Sequence, residues 1–340
     1  MPTVYEKLTL YGKAQIDYAD IIARYPWIVQ RNLNCILSPD SDGLLCGLLM
    51  THFLDWRVRG FYDGKILVIE NGIVAQDCVF LDMEIFRSHV RSVGQHMLLY
   101  NKNNTPPNWK NFGNCFAPNN VRGYDASHDF RLKYPFGTIH LLIPVLNKIQ
   151  KLEIPTTAIT PLLFTDGTWM NLLQYTENSL DWIHFLQADD PGNPLHGIFL
   201  NDHYSLHSLM VAMDEFLRKR DKISVPRERG DRIAITIRGG EGLPHNLERD
   251  GETFHFKDEA KKRGEAFIRL LADLTDWKYD SAKWSWGKWM LYRFTKGDFA
   301  SSRLNGQTFA SLMARNPLSF AITSSQNLEY TIEEPDLLPS

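Results

Sequence analysis

The sequence predicts an α/β fold: a mainly parallel sheet with helices on both faces, followed by a smaller C-terminal α+β domain. Three observations lead there. Short apolar runs ending in turn residues recur between residues 30 and 100. A segment with helical spacing separates the first of them from the next, as the crossover of a parallel sheet requires. A charged stretch broken by Pro and Gly, "KRDKISVPRERGDR" (Lys219 to Arg232), marks a border. The expected division is therefore residues 1–215 and 216–340.

"NLNCIL" (Asn32 to Leu37) reads as a short buried strand, and "SPDSDG" stops it with Pro39 and Gly43. From Gly43 the apolar residues Leu44, Leu45, Leu48, Leu49 and Phe53 fall at helical spacing. "KILVIENG" (Lys65 to Gly72) and "DCVFLDMEI" (Asp77 to Ile85) read as the next strands. The second of these ends in an acidic pair, Asp82 and Glu84. "VRSVGQHMLLY" (Val90 to Tyr100) reads as a fourth strand, and the Asn-, Pro- and Gly-rich stretch from Asn101 to Asn120 as a long loop. Helical spacing returns in "FGTIHLLIPVLNKIQKL" (Phe136 to Leu152). "ITPLLFTDGTW" (Ile159 to Trp169) is an apolar run stopped by Asp166-Gly167, and Ser205 to Asp221 is a helix with basic residues at its end. Beyond the border, "RIAITIRGG" is strand-like, "KDEAKKRGEAFIRLLADL" is helical, and "WKYDSAKWSWGKWMLYRF" is aromatic and β-prone.

The chain has 340 residues, 44% of them hydrophobic and 23% charged, with a formal net charge of −3. That balance excludes a strongly basic nucleic-acid coat but not a nucleotide substrate, because a metal ion can supply positive charge locally. There is no apolar run of about 18 residues to span a membrane. The start, "MPTVYEKLTLYGKAQ", lacks the basic-then-apolar order of a signal peptide. Cys35, Cys46, Cys78 and Cys115 form no C-x-x-C pair, and reduced thiols in a cytoplasmic protein are expected.

Asp40 and Asp42 fall in a tight loop between the first strand and its helix, where open α/β sheets bind ligands. Two carboxylates in one crevice repel unless a proton or a cation lies between them. Taken alone, Asp42 could equally be an N-cap. Asp82 also lies at a strand end, and Asp166 follows an apolar run, so Asp42, Asp82 and Asp166 are expected on one rim of one sheet. His96 adds an imidazole after the fourth strand. Carboxylates with one histidine suit Mn²⁺ or Mg²⁺, as one or two ions.

The order "SPDSDG", "VFLDME", "GQHM", "KYPFGTIHLLI", "LLFTDG" resembles the DHH phosphoesterase superfamily over about residues 30–190. The resemblance implies a Mn- or Mg-dependent hydrolase of phosphodiesters or phosphoanhydrides, acting through metal-activated water on a nucleotide or single-stranded nucleic acid. Asp40, Asp42, Asp82, His96 and Asp166 would be its metal-binding and catalytic residues. The chain departs from the pattern at Ser38, where the family has Asp or His. It departs again at Gly94-Gln95-His96-Met97, where only one histidine of the Asp-His-His triplet stands. A catalytically degraded nucleotide-binding or complex-forming protein is the alternative the departures suggest. "DSDG" also fits the aspartyl-nucleophile loop of haloacid-dehalogenase phosphatases, but Leu44 stands where that pattern has Thr.

The family's substrate-binding domain carries a Gly-rich loop followed by His. "IRGGEGLPHN" (Ile237 to Asn246) offers Arg238, Gly239, Gly240 and His245 for a phosphate, though a plain hairpin turn has the same composition. His128 in "YDASHDF", and Lys133 after it, could also touch a phosphate. His203 and His207 lack the glutamate that a metalloprotease pair needs. Trp277, Trp284, Trp286 and Trp289 are expected in a β core rather than on nucleic-acid bases. The expected partners are the nucleotide or nucleic-acid substrate and no membrane, and a homo-oligomer stays open.

Overall fold

A computed structural model describes residues 14–225, 233–237, 242–298, 304–324, 327–332 and 337–338. Its main sheet runs in the order β6-β5-β4-β1-β2-β3-β9-β8-β7. The strands are β1 (Asn34–Leu37), β2 (Arg57–Tyr62), β3 (Ile66–Glu70), β4 (Val79–Leu81), β5 (Arg91–Val93), β6 (Cys115–Phe116), β7 (Leu247–Asp250), β8 (Thr253–Phe256) and β9 (Trp289–Arg293). A smaller antiparallel sheet holds β10 (Thr295–Asp298), β11 (Ser319–Ile322) and β12 (Leu328–Ile332), with β12 central. The α/β class holds, but the expectation of a mainly parallel sheet is corrected. β1, β2, β4, β5 and β6 are parallel, whereas β3, β9, β8 and β7 continue the sheet antiparallel. The physical reason is the tight connection at Asp63–Lys65. Asp63 Oδ1 accepts from the amides of Lys65 and Ile66 (both 2.9 Å), which folds β3 back on β2 as a hairpin. The sheet thus continues across residue 215/216, because β7, β8 and β9 belong to it.

Among the described residues the α-helices of six residues or more are α1 (Tyr18–Arg24), α2 (Ser41–Leu54), α3 (Ile139–Asn147), α4 (Ile159–Phe164), α5 (Thr168–Gln174), α6 (Thr176–Phe185), α7 (Leu206–Ile223), α8 (Asp258–Thr275) and α9 (Gly306–Ala314). α2 crosses from β1 to β2 and packs against α3 and α8 as well as β1, β2 and β4. Contact on several sides explains why it is apolar all round. Leu44, Leu45, Leu48 and Leu49 are fully buried, each stabilising by roughly 1.5–3 kcal/mol. Two glycines let it lie this close. A Cβ at Gly43 would stand 2.1 Å from the Ser38 carbonyl oxygen, and one at Gly47 would stand 2.6 Å from Leu37 Cδ1. At the other end of the sheet Trp289, fully buried, packs on Phe256 and Phe61 with ring centroids 5.0 and 6.0 Å away. Trp277, Trp284 and Trp286 are buried too, so the tryptophans serve the core. The four cysteines are free and buried.

Numbered among themselves, the parallel strands stand in the order 2-1-3-4-5, and the order reverses between β1 and β4. Such a switch point opens a crevice beyond the C-terminal strand ends. The register levels those ends: Leu37 pairs with Leu81, Leu81 with Val93, and Val93 with Phe116.

Candidate metal centre

Asp82 is the first residue beyond β4. It is 2% exposed and sits in left-handed backbone at φ 61°, which Asp tolerates better than most residues. The Thr138 hydroxyl donates to its Oδ1 at 2.8 Å. His96 lies three residues beyond the end of β5, on a loop held by Glu84. The buried Glu84 carboxylate accepts through Oε1 from the backbone amides of His96 and of Met97, the latter at 2.8 Å. Gly94 leaves that carboxylate its space, since a Cβ there would stand 2.5 Å from Glu84 Cδ. Asp166 comes from a different layer. The apolar run before it is helix α4, so Asp166 stands on the Thr165–Gly167 turn between α4 and α5, again in left-handed backbone at φ 50°. The Thr165 and Ser41 hydroxyls, 3.1 Å apart, tie that turn to the start of α2.

The side chains of Asp82, His96 and Asp166 each present a ligand atom, and these atoms lie within 4.8 Å of one another. Asp42 lies beside them, its carboxyl in hydrogen-bond contact with those of Asp82 and Asp166; Asp40 and Asp42 are not among these three ligand groups, and each has a further duty. Asp40 is the N-cap of α2, its Oδ1 accepting from the Gly43 amide at 3.3 Å. Asp42 is fully buried and reaches across to a different helix. It accepts from the Thr138 amide at 2.5 Å and the Ile139 amide at 3.1 Å, the free donors at the start of α3. A Cβ at Gly137 would stand 2.8 Å from Asp42 Oδ1, so this approach also depends on a glycine.

Burial pushes the Asp82 carboxyl well above the ordinary range, and the carboxylates of Asp42, Asp40 and Asp166 push it further. The Asp42 carboxyl is also raised by burial, while the Ile139 and Thr138 amides pull it back. Asp166 is raised by its protein surroundings and by Asp42 and Asp40. Solvent reaches this residue, so the like charges count for more than burial there. Crowded carboxyls of this kind hold extra protons or a cation. Two carboxylates and an imidazole fit a divalent ion with preference for oxygen and nitrogen ligands.

Sequence reasoning gave no role to Glu84, Thr138 or Asn119. Glu84 was visible only as half of an acidic pair, and Thr138 only as Gly-Thr before an apolar helix. Asn119 carried no signal. Its Nδ2 donates to the Gln95 carbonyl at 3.1 Å and its Oδ1 accepts from the Tyr134 amide at 2.8 Å. His128 lies on the short helix Ala126–Asp129, its Nδ1 2.8 Å from Oδ2 of the buried Asp125. Arg238, Gly239 and Gly240 lie outside the described residues. His245 donates its amide to the Ile235 carbonyl at 2.8 Å, and the Ile233 amide donates to the Pro39 carbonyl at 2.7 Å, so this C-terminal segment returns to the first acidic loop. His203 precedes α7 and His207 lies within it, both exposed. Among the described residues no helix is long and apolar enough to cross a membrane.

The chain matches no protein-family model, no curated protein and no solved structure in the comparisons made.

Proposed function

We propose that the protein is a divalent-metal-dependent phosphodiester hydrolase acting on a nucleotide or single-stranded nucleic acid, with Mn²⁺ or Mg²⁺ held by Asp82, His96 and Asp166. The observation that carries this reading is the meeting of those three side chains within 4.8 Å at the switch point of the sheet. A divalent ion there supplies Lewis acidity toward a phosphoryl oxygen and toward water. The protein's own share is positional. Thr138 orients the Asp82 carboxylate through its hydroxyl, Glu84 fixes the His96 backbone, and the Ser41–Thr165 contact anchors the turn that carries Asp166. Ligands held by such outer contacts lose less freedom when the ion binds.

The order of motifs that resembles DHH phosphoesterases supports the same chemistry. Mn²⁺-dependent hydrolysis of bis(4-nitrophenyl) phosphate, abolished in Asp82→Asn, is the expected result. Turnover unchanged in that variant would reject the site. A second reading has its own support, namely that Asp40 and Asp42 are occupied by backbone amides and leave ligands for a single ion. On that reading the protein binds a nucleotide without cleaving it. A nucleotide bound in Mn²⁺ and recovered intact after hours would decide for it.

A further inference from the structure

Helix α3 is apolar and buried from Ile139 to Leu146 except at its second residue, His140, which is fully buried as well. Phe199 and Phe136 pack on the imidazole, with ring centroids 5.3 and 6.0 Å away. An apolar side chain would fill such a place without the cost of burying ring nitrogens. Nδ1 has a partner in the turn before the helix: the Gly137 amide donates to it at 3.1 Å. The Gly137 carbonyl lies 3.2 Å from the same nitrogen, but it already accepts from the His140 amide at 3.1 Å and from the Tyr134 hydroxyl at 3.2 Å. The amide hydrogen is fixed by its peptide plane, so Nδ1 is the acceptor and the ring proton stands on Nε2. Burial lowers the pKa of the ring to about 4, which keeps it neutral at neutral pH.

That bond is the first of three on successive amides. Gly137 donates to His140, while Thr138 and Ile139 donate to Asp42 at 2.5 and 3.1 Å. The turn is thus gripped from two sides, by an imidazole and by a carboxylate. It also carries the Thr138 hydroxyl that bonds Asp82 at 2.8 Å. The Asp42 carboxyl in turn touches those of Asp82 and Asp166. Thr138, the N-cap residue of α3, makes no side-chain cap, because its hydroxyl is spent on Asp82. The amide turn is therefore the common support of two of the clustered acids.

We propose that His140 is a positioning residue for the metal centre, fixing through the Gly137 amide the turn whose amides and hydroxyl hold Asp42 and Asp82. This deepens the hydrolase reading and rests on it for the presence of the ion. His140 touches neither ion nor substrate and acts through Gly137 and Thr138.

Two variants separate the hydrogen bond from the bulk of the ring. His140→Phe keeps an aromatic ring against Phe136 and Phe199 and has no acceptor. His140→Asn brings Oδ1 to the place of Nδ1 and keeps one. In calorimetric titration of the full-length protein with Mn²⁺, His140→Phe should bind about tenfold more weakly, and His140→Asn within about threefold of wild type. In metal-free protein, hydrogen exchange at the Thr138 and Ile139 amides, measured against the Leu146 amide of the same helix, should quicken about tenfold in His140→Phe and within about threefold in His140→Asn. A ring that only fills space gives the opposite order, since Phe fills it and Asn does not. Mn²⁺ affinity equal in wild type and His140→Phe would overturn the proposal, as would an Asn variant no better than Phe. Should a variant fail to fold, the nitrogen-15 spectrum of the wild-type imidazole decides: a proton on Nε2 supports the proposal and a proton on Nδ1 overturns it. If wild type itself binds no Mn²⁺, the metal assignment falls, and the exchange rates still decide for or against the hold of His140 on the turn.

Discussion

Replacing Asp82 with Asn separates the charge of this residue from its shape. Asn keeps an Oδ1 for the Thr138 hydroxyl and tolerates the left-handed backbone at φ 61°. Two effects of opposite sign follow. Without metal, the variant loses a repulsion between Asp82 and Asp166. Taken at 4.8 Å, the outer limit of the separation, that repulsion is about 1 kcal/mol at the dielectric of water and about 3 kcal/mol at an effective value near 20, with solvent at Asp166 favouring the lower figure. For a chain of 340 residues, an unfolding entropy of about 2.1 cal/mol/K per residue gives roughly 0.7 kcal/mol per degree. The metal-free variant should therefore melt about 1–4 °C above wild type. With Mn²⁺ at a hundred times its Kd, wild type should gain about 2.7 kcal/mol, or about 4 °C. If the variant binds a hundredfold more weakly, its gain at the same concentration is about 0.4 kcal/mol, under 1 °C. Differential scanning calorimetry with EDTA and with Mn²⁺ reads both effects. An equal Mn²⁺ shift in wild type and Asp82→Asn would refute the centre, and so would a metal-free variant that melts well below wild type.

The outer contacts make further predictions. Glu84→Ala frees the His96 and Met97 amides and should weaken Mn²⁺ binding about 10–100-fold, while Glu84→Gln, which keeps Oε1, should restore most of it by calorimetric titration. Thr138→Val should act in the same direction through Asp82. Gly43→Ala drives a methyl to 2.1 Å from the Ser38 carbonyl oxygen, a backbone atom that cannot swing aside; we expect a loss of at least about 4 kcal/mol, seen as a melting temperature about 6 °C lower or as insoluble protein. Burial lowers the pKa of His140 from 6.5 to about 4. Between those values the unfolded chain binds the proton and the folded chain does not. The stability is thus fully present above pH 6.5 and is lost as pH falls toward 4, by about 3 kcal/mol in all. His140→Asn should flatten that slope in urea melts taken from pH 7 to 4.

The parts legible in the sequence are those set by local chemistry. The Pro39–Gly43 turn between an apolar run and a helical period placed the acidic loop, whereas the runs read as strands over Asp77–Ile85 and Val90–Tyr100 are strands only at Val79–Leu81 and Arg91–Val93, which leaves Asp82 and His96 just beyond them. Asp166 was found as a residue, but the apolar run before it was left unassigned, because six apolar residues fit a buried helix as well as a strand; it is helix α4. The duty of Asp42 was hidden for another reason. Its N-cap alternative named the right interaction and the wrong helix, since nothing local says that α3, about a hundred residues on, will present its amides there. The antiparallel half of the sheet was illegible for the same cause, as β3 pairs with a strand beyond residue 288.

That last pairing bears on how the chain is made. β3 lies between β2 and β9, and β9 follows it by about 220 residues. At about 5–20 residues per second, a ribosome takes roughly ten to forty seconds to deliver the partner. Throughout that interval Ile66 to Glu70 offers an open ladder of amides and carbonyls to any other nascent strand. Synthesis is therefore the moment of greatest exposure to aggregation, and a chaperone that shields this edge should raise the soluble yield more than any change to the finished fold.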